Sequence, residues 1–317
     1  MYQMIKNKRN RILRGILIKT IALFTIPMAL LSSCDNNRYV DFEIDGEQPF
    51  LTMFSYLNTD STFSVKVGLA KPHGDTTKNL ALPDCTVEVF EDGRLIENLT
   101  YAGDNSYTGN KKPLKGPTYT LSVARKGYNT ISASTQIPEP PVISDFHIEK
   151  LIQGNPPRVN YFFYISDPAR EANYYRLLAY YDGYMEPEAG GEVVAFRSLM
   201  QTLYDQSIFT GMDEGDASDN QDEDNQNKFM IFKDNIFDGQ KYLVNFYNRQ
   251  IPARAIRITV AVQHISREYY LFMKSYTKSK NYDEFAEPVQ LFTNVKNGAG
   301  IVGSYAKSEL AVVPPNQ

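Results

Sequence analysis

The chain has 317 residues, 42 % of them hydrophobic and 22 % charged, with a formal net charge of −4 at pH 7. That length allows about two domains with cores of their own, and the acidic balance argues against a protein that works by neutralising nucleic-acid phosphates. Aromatic residues make up 13 %, as 22 Tyr and 18 Phe with no Trp, and together with Val, Ile and Thr they favour strands.

The first 33 residues differ from the rest. Lys6, Lys8, Arg9, Arg11, Arg14 and Lys19 form a basic stretch with no acid, followed by an apolar run from Ile21 to Leu31. The run is too short to span a bilayer and suits the core of a signal peptide. It ends in Leu31-Ser32-Ser33-Cys34, which resembles a bacterial lipobox. In that reading residues 1–33 are removed, Cys34 receives a diacylglyceryl group and an acyl chain on its new amine, and residues 34–44 form a tether. The alternative is an ordinary secretory cleavage site that precedes a cysteine. Each buried CH₂ of the acyl chains would add about 0.8 kcal/mol of membrane affinity. Without the leader, 27 basic residues face 37 acidic ones, a formal charge of −10, which argues against a polybasic membrane-surface role. With Cys34 lipidated no intrachain disulfide is possible, and Cys85, alternating with Val87 in "CTVEVF", reads as a small core residue.

After the tether, "FLTMFSYLN" and "STFSVKVGLA" read as strands, and "CTVEVFEDGRLIENLTY" as a hairpin turning at Asp92-Gly93. Two more strands flank Lys126-Gly127. This spacing suggests an N-terminal immunoglobulin-like or prealbumin-like sandwich over 45–137. Pro138, Pro140 and Pro141 mark a linker at 138–141. A second β-rich domain, 142–317, follows. "RVNYFFYISD" alternates Val159, Tyr161, Phe163 and Ile165 but is apolar on its other face as well; "NYYRLLAYY" alternates Tyr175, Leu177, Ala179 and Tyr181. Ser266 can cap one short helix, in which Tyr269, Phe272, Met273 and Tyr276 recur with helical period and read as a stripe packed on a sheet. The fold class is therefore mostly β, with one helix.

Few residues point to chemistry. His73, His147 and His264 have no second His or Cys at metal-ligand spacing, and no Ser nucleophile elbow is present. No catalytic residue and no cofactor site is assigned. Residues 213–224, "DEGDASDNQDED", read as a solvated acidic insert; within it Asp216, Asp219, Asp222 and Asp224 are the candidate Ca²⁺ ligands, although the spacing fails the EF-hand pattern. "YYDGYMEP", 180–187, places Tyr181 and Tyr184 around an expected Asp182-Gly183 turn. There they are candidates for a partner-binding surface, the alternative being that they cover the protein's own core.

Gly298, Gly300 and Gly303 have the G-x-G-x-x-G spacing of a dinucleotide loop, but too little chain follows for the helix, second strand and acidic residue that such a site needs. Asn297-Gly298 reads instead as a turn, and Gly300 and Gly303 as positions of positive φ or close backbone approach in a last strand.

The C-terminal third carries a resemblance. Ser266, Glu268, Tyr269 and Tyr270, then Pro288, Val289, Asn294 and Val295, then Asn297, Gly298, Gly300, Ile301, Val302 and Gly303 resemble the closing signature of a Bacteroidota lipoprotein family, domain of unknown function 4249. The resemblance implies an outer-membrane, lipid-anchored protein, and members commonly accompany TonB-dependent receptors. The expected function is non-enzymatic: an accessory to such a transporter in ligand capture or delivery. The alternatives are a structural or adhesive surface sandwich and a periplasm-facing envelope protein. The leaflet face it occupies is left open.

Overall fold

The computed structural model describes residues 49–70, 80–151, 158–185, 192–200, 230–248, 255–280 and 290–314. The expected leader (1–33), Cys34, His73, the acidic segment with Asp216, Asp219, Asp222 and Asp224, and Pro288 and Val289 lie outside these residues.

Alternation of apolar and polar residues builds the first half. Strands β1 (Phe50–Leu57), β2 (Ser64–Ala70), β3 (Thr86–Glu91), β4 (Arg94–Gly103), β5 (Ser106–Thr108), β6 (Thr118–Ala124) and β7 (Ile131–Gln136) follow one another antiparallel, in the order β1-β2-β5-β4-β3-β6-β7. Leu51, Met53, Val65, Val67, Val87, Val89, Leu121 and Val123 alternate inward to one core. Cys85 is buried there, as expected. The Asp92-Gly93 hairpin is present, with φ of 47° and 80° at its two central residues. Two buried tyrosines have their polar tips satisfied: Tyr107 OH donates to Leu82 O and accepts from Cys85 N at 3.1 Å, and Tyr119 OH accepts from Leu114 N at 2.8 Å and donates to Glu91 at 2.9 Å.

The second half stacks two layers. A three-stranded sheet, β8 (Val142–Leu151), β9 (Arg158–Ser166) and β13 (Lys241–Asn248), has β9 at its centre. Its inner face, Tyr161, Phe163, Ile165, Val244 and Phe246, meets Tyr175, Leu177 and Ala179 of β10 (Tyr174–Met185) and Ile258, Val260 and Val262 of β14 (Ala255–Ile265). The outer face of β9 explains its second apolar row: His147 stacks on Phe162 at 5.2 Å, and Lys241 sits over Tyr164 at 4.2 Å. Strands β11 (Val194–Leu199) and β12 (Met230–Lys233) both pair with β10. Helix α1 (Arg267–Lys280) follows β14, and β15 (Ala299–Val312) ends the described chain. Among the described residues no helix is long and apolar enough to cross a membrane.

Strand β15 joins the halves. It pairs in parallel with β1, Thr52↔Ala299 through Leu57↔Ser304, and antiparallel with β14, Ile258↔Val312 through Ile265↔Tyr305. Its even positions serve two cores in turn, Val302 and Ala306 in the first and Leu310 and Val312 against the second. Its odd positions Ile301 and Tyr305 join a third cluster with Tyr269, Tyr270, Phe272 and Met273 of α1. The prolines at 138–141 thus fall between two cores, while the hydrogen-bonded sheet runs across both, and all described residues belong to one compact unit.

Candidate functional site

The helix is held close to β15 by small residues. Ser266 Oγ accepts from Tyr269 N and from Ser304 N, each at 3.3 Å, and Ser266 N donates to Ser304 O at 2.9 Å. The expected cap therefore fastens the helix to the strand as well. At Gly303 an added Cβ would lie 2.8 Å from Tyr269 Cβ, so only a bare backbone lets α1 ride this low. Gly300 has φ +117° and packs against β1, where a Cβ would meet Met53 O at 2.0 Å. The G-x-G-x-x-G spacing is thus a turn, with Asn297 at φ 57°, followed by two close approaches within a strand.

This low seat lays Tyr269 beside residues from three strands. Its ring is 4.5 Å from that of Tyr56, and its hydroxyl accepts from Arg176 Nη1 at 2.8 Å. Arg176 also donates to Gln263 at 3.4 Å. Tyr305 and Tyr180 lie near enough to interact electrostatically with Tyr269, and Arg197 sits over the Tyr180 ring at 4.6 Å. Burial pushes the phenols of Tyr56, Tyr269 and Tyr305 above their usual range, against the nearby cations Arg176 and Lys307, which act to lower them. At neutral pH these groups are neutral donors and acceptors around a guanidinium. The arrangement suits recognition by ring contact and hydrogen bonding. Ion pairs continue across the same face: Arg257–Asp182 at 2.6 Å, Arg197–Asp182 at 3.7 Å, Arg197–Glu309 at 3.2 Å, and Lys307 between Glu309 at 3.5 Å and Asp60 at 3.4 Å.

A second constellation was hidden from the sequence. Carboxylate oxygens of Asp167, Asp234 and Asp238 lie within 4.8 Å of one another, a donor set of the kind hard cations take. Each carboxylate already serves the protein. Asp167 accepts from Tyr175 OH at 2.6 Å and Gly239 N at 3.0 Å, Asp234 from Asn173 N at 2.8 Å, and Asp238 from Arg170 N at 2.9 Å. Burial pushes Asp167 above the usual carboxylate range, with Asp234 and Asp238 adding to the rise and the two hydrogen bonds opposing it. The group cross-links the β9–β10 connection to the β12–β13 connection. No local spacing marks it, because Asp167 and Gly239 are 72 positions apart.

Residues 38–311 match the family described as Domain of unknown function (DUF4249). The chain belongs to that family. No curated protein matches it. In this DUF4249 chain several of the described residues that carry the resemblance seat α1 and β15. Besides Ser266 and the glycines, Asn294 accepts from Val302 N at 3.0 Å and donates to Val302 O at 2.9 Å, pinning the segment before the turn to the strand after it.

The expected partner residues are separated by the fold. The Asp182-Gly183 turn is not formed: β10 continues to Met185, and only a register shift, between Asp182 and Gly183, marks the dipeptide. Pairing to β11 on one side and β14 on the other holds this stretch extended, overriding the local turn preference. Tyr181 is half-buried against the second core, edge-on to Phe196 at 5.7 Å. Tyr184 is exposed at the strand end. With Met185, Val193, Val194, Ile256 and Val313 it belongs to a set of outward apolar residues that range from 45 % exposed at Ile256 to 73 % at Val313. They cap the adjoining ends of β10, β11, β14 and β15. His147 and His264 sit apart, on β8 and β14.

Proposed function

We propose that this DUF4249 protein is a non-enzymatic lipoprotein of the outer membrane, anchored through Cys34, that serves a TonB-dependent transporter in ligand capture or delivery. The observation that carries the anchor is the order of signals: a basic stretch, a short apolar run, Leu-Ser-Ser-Cys, and then a family match that begins at residue 38, directly past the cysteine. Two surfaces support a binding role. The cluster around Arg176 and buried Tyr269 presents the exposed Tyr56 ring to a ligand. The apolar rim at Tyr184 offers area to a protein partner, and exposed apolar patches commonly mark such contacts. That rim lies about 40 Å along β15 from the end where β1 enters the fold, at 3.3 Å per residue.

The test has two parts. Palmitate labelling of the wild type and Cys34→Ala addresses the anchor; label retained in the variant removes the proposal. Affinity purification from detergent-solubilised membrane, with mass spectrometry, addresses the partner. Recovery of a TonB-dependent receptor from the wild type, and its loss in Tyr184→Ala with melting temperature unchanged, is the expected result. Recovery of adhesion or envelope-maintenance proteins instead transfers the chain to the alternative class.

A further inference from the structure

Strand β11 ends the long sheet: it pairs with β10, and among the described residues no strand pairs with its other edge. The ladder fixes which groups that edge shows. Met200 N donates to Ala179 O at 2.8 Å, directly opposite it in the register that runs from Tyr180↔Leu199 to Met185↔Val194. Antiparallel strands alternate between opposed residues that exchange hydrogen bonds and opposed residues that do not. Ser198, Phe196 and Val194 therefore turn their main chain to β10, while Leu199, Arg197 and Ala195 turn their N–H and C=O groups outward. Such an edge is a template for another strand, and folded proteins usually guard it. The other terminal strands carry guards. Ser132 of β7 is bridged by Lys296, β8 is bulged between Ser144 and His147 with Asp145 at φ 58°, β13 opens on the exposed Lys241, and β12 has four residues and ends in Lys233. Strand β11 has six residues, no Pro and no bulge against β10. Its charge, Arg197, is drawn back over its own sheet, 4.6 Å above the Tyr180 ring and paired with Asp182 and Glu309.

We infer that this edge pairs with β11 of a second copy of the chain, antiparallel about Phe196, so that one sheet runs through two molecules. The strand is self-complementary in that register. Ala195 and Arg197 of one copy face Arg197 and Ala195 of the other, all with outward main-chain groups, and exchange hydrogen bonds. Phe196 faces Phe196 in a pair without hydrogen bonds, where side chains come closest, and aromatic pairs stabilise such positions. Val194 faces Ser198, and the exposed Val193 faces Leu199. Each Arg lies opposite an Ala. Pairing about Arg197 instead would set Arg against Arg, which is unfavourable. The relation is a two-fold through one edge of each copy, so the contact closes at a dimer. A ladder of six residues lies at the low end of specific interfaces, so the dimer is weak in dilute solution. The inference goes beyond the transporter reading and is independent of it.

The test uses residues 34–317 with Cys34→Ser, which removes the thiol expected to carry lipid; the other cysteine, Cys85, is buried. Sedimentation equilibrium from micromolar to millimolar concentration is expected to show the mass rising toward that of two chains. Ala195→Pro deletes an outward donor and spares the β10 ladder, since Pro is tolerated on an edge strand where the N–H faces away from the sheet. It is expected to stay at the mass of one chain throughout, with its melting temperature unchanged. Phe196→Cys reads the register, and it decides the matter should Ala195→Pro unfold. Under mild oxidation it is expected to give a covalent dimer, because opposed residues of a pair without hydrogen bonds have Cα atoms about 4.5 Å apart, within disulfide reach. Val194→Cys, which faces Ser198, is expected to give none. A single-chain mass at every concentration overturns the inference. So does a dimer that survives Ala195→Pro while Phe196→Cys fails to cross-link, because the contact then lies elsewhere. Cross-linking of Val194→Cys as fast as that of Phe196→Cys overturns it as well. A monomeric chain from which Ala195→Pro strips a co-purified receptor also overturns it, and gives the edge to a strand of that receptor.

Discussion

Single residues in this chain are constrained by neighbours far away in sequence, and two of them make measurable predictions. Gly300 combines a φ of +117° with a Cβ site 2.0 Å from Met53 O. A side chain there must both adopt a disfavoured backbone and push the parallel β1–β15 ladder apart. Gly300→Val is expected to cost about 3 kcal/mol or more in urea unfolding, the range for a strained backbone combined with overpacking. A cost below about 1 kcal/mol would mean that the ladder yields easily. His264 gives a pH effect. Burial holds its imidazole below the ordinary value of 6.5, against an opposing hydrogen bond in which Nδ1–H donates to Glu139 O at 2.9 Å. The unfolded chain then takes up the proton before the folded one does. His264 therefore contributes fully above about pH 6.5, and its contribution is lost as pH falls below that value. Stability measured at pH 7, 6 and 5 is expected to drop more steeply in the wild type than in His264→Gln; parallel curves would place the titrating group elsewhere.

At the scale of elements, the hydrophobic period identified the helix and strands such as β1, β2, β9 and β10, and their partners decided how they pair. The Asp92-Gly93 turn was legible because its two φ angles of 47° and 80° suit Asp and Gly and the strands on either side pair with each other. Asp182-Gly183 offered the same local signal, yet β10 runs through it, because β11 and β14 hold it from both edges. The helix stripe was legible at Tyr269, Phe272 and Met273. Tyr270 was missed although it is fully buried, and Tyr276 is more open than its period implied. The reason is that α1 sits over β15, so Tyr270 turns to Tyr174 of β10 while Tyr276 stacks at the β1 side. Arg176 and Tyr269 are 93 positions apart, and no spacing rule joins them. The cap itself was legible, and Ser266→Ala is expected to cost about 1–2 kcal/mol, the upper range for a cap, because it also leaves Ser304 N without that acceptor. The carboxylate cross-link should be worth more. Asp167→Ala leaves Tyr175 OH and Gly239 N without their acceptor in a buried site and is expected to cost about 3 kcal/mol. A loss no larger than that of Ser266→Ala would show the cross-link to be redundant.

For the whole molecule the deciding element is the last strand. β15 supplies the parallel partner of β1 and the antiparallel partner of β14, and sends side chains into all three clusters. Its hydroxyls also hold the junction between the halves: Ser304 Oγ donates to Gln136 O at 2.6 Å and lies 3.0 Å from Thr135 Oγ, and Ser308 Oγ donates to Pro141 O at 2.6 Å. Without β15, the edge of β1 and the edge of β14 both lose their ladder, Val302 and Ala306 leave the first core, and α1 loses the strand it is capped against. The second core is built from residues of the second half alone, whereas the first core takes Val295, Val302 and Ala306 from that half. A chain ending at Gly298 is therefore expected to lose cooperative unfolding throughout, with amide protection gone in β3 and β6 of the first half as well as in β10 and β14 of the second. Adding a synthetic peptide of residues 297–314 should restore protection in both halves together, because one strand completes both sheets. If β3 and β6 keep their protection in the truncated chain, the first half folds on its own and the prolines at 138–141 mark a true domain boundary. If protection is lost in both and the peptide restores both, the fold is a single cooperative unit whose first strand waits for its last, and parallel pairing across so long a separation should make that closure the slow step of folding.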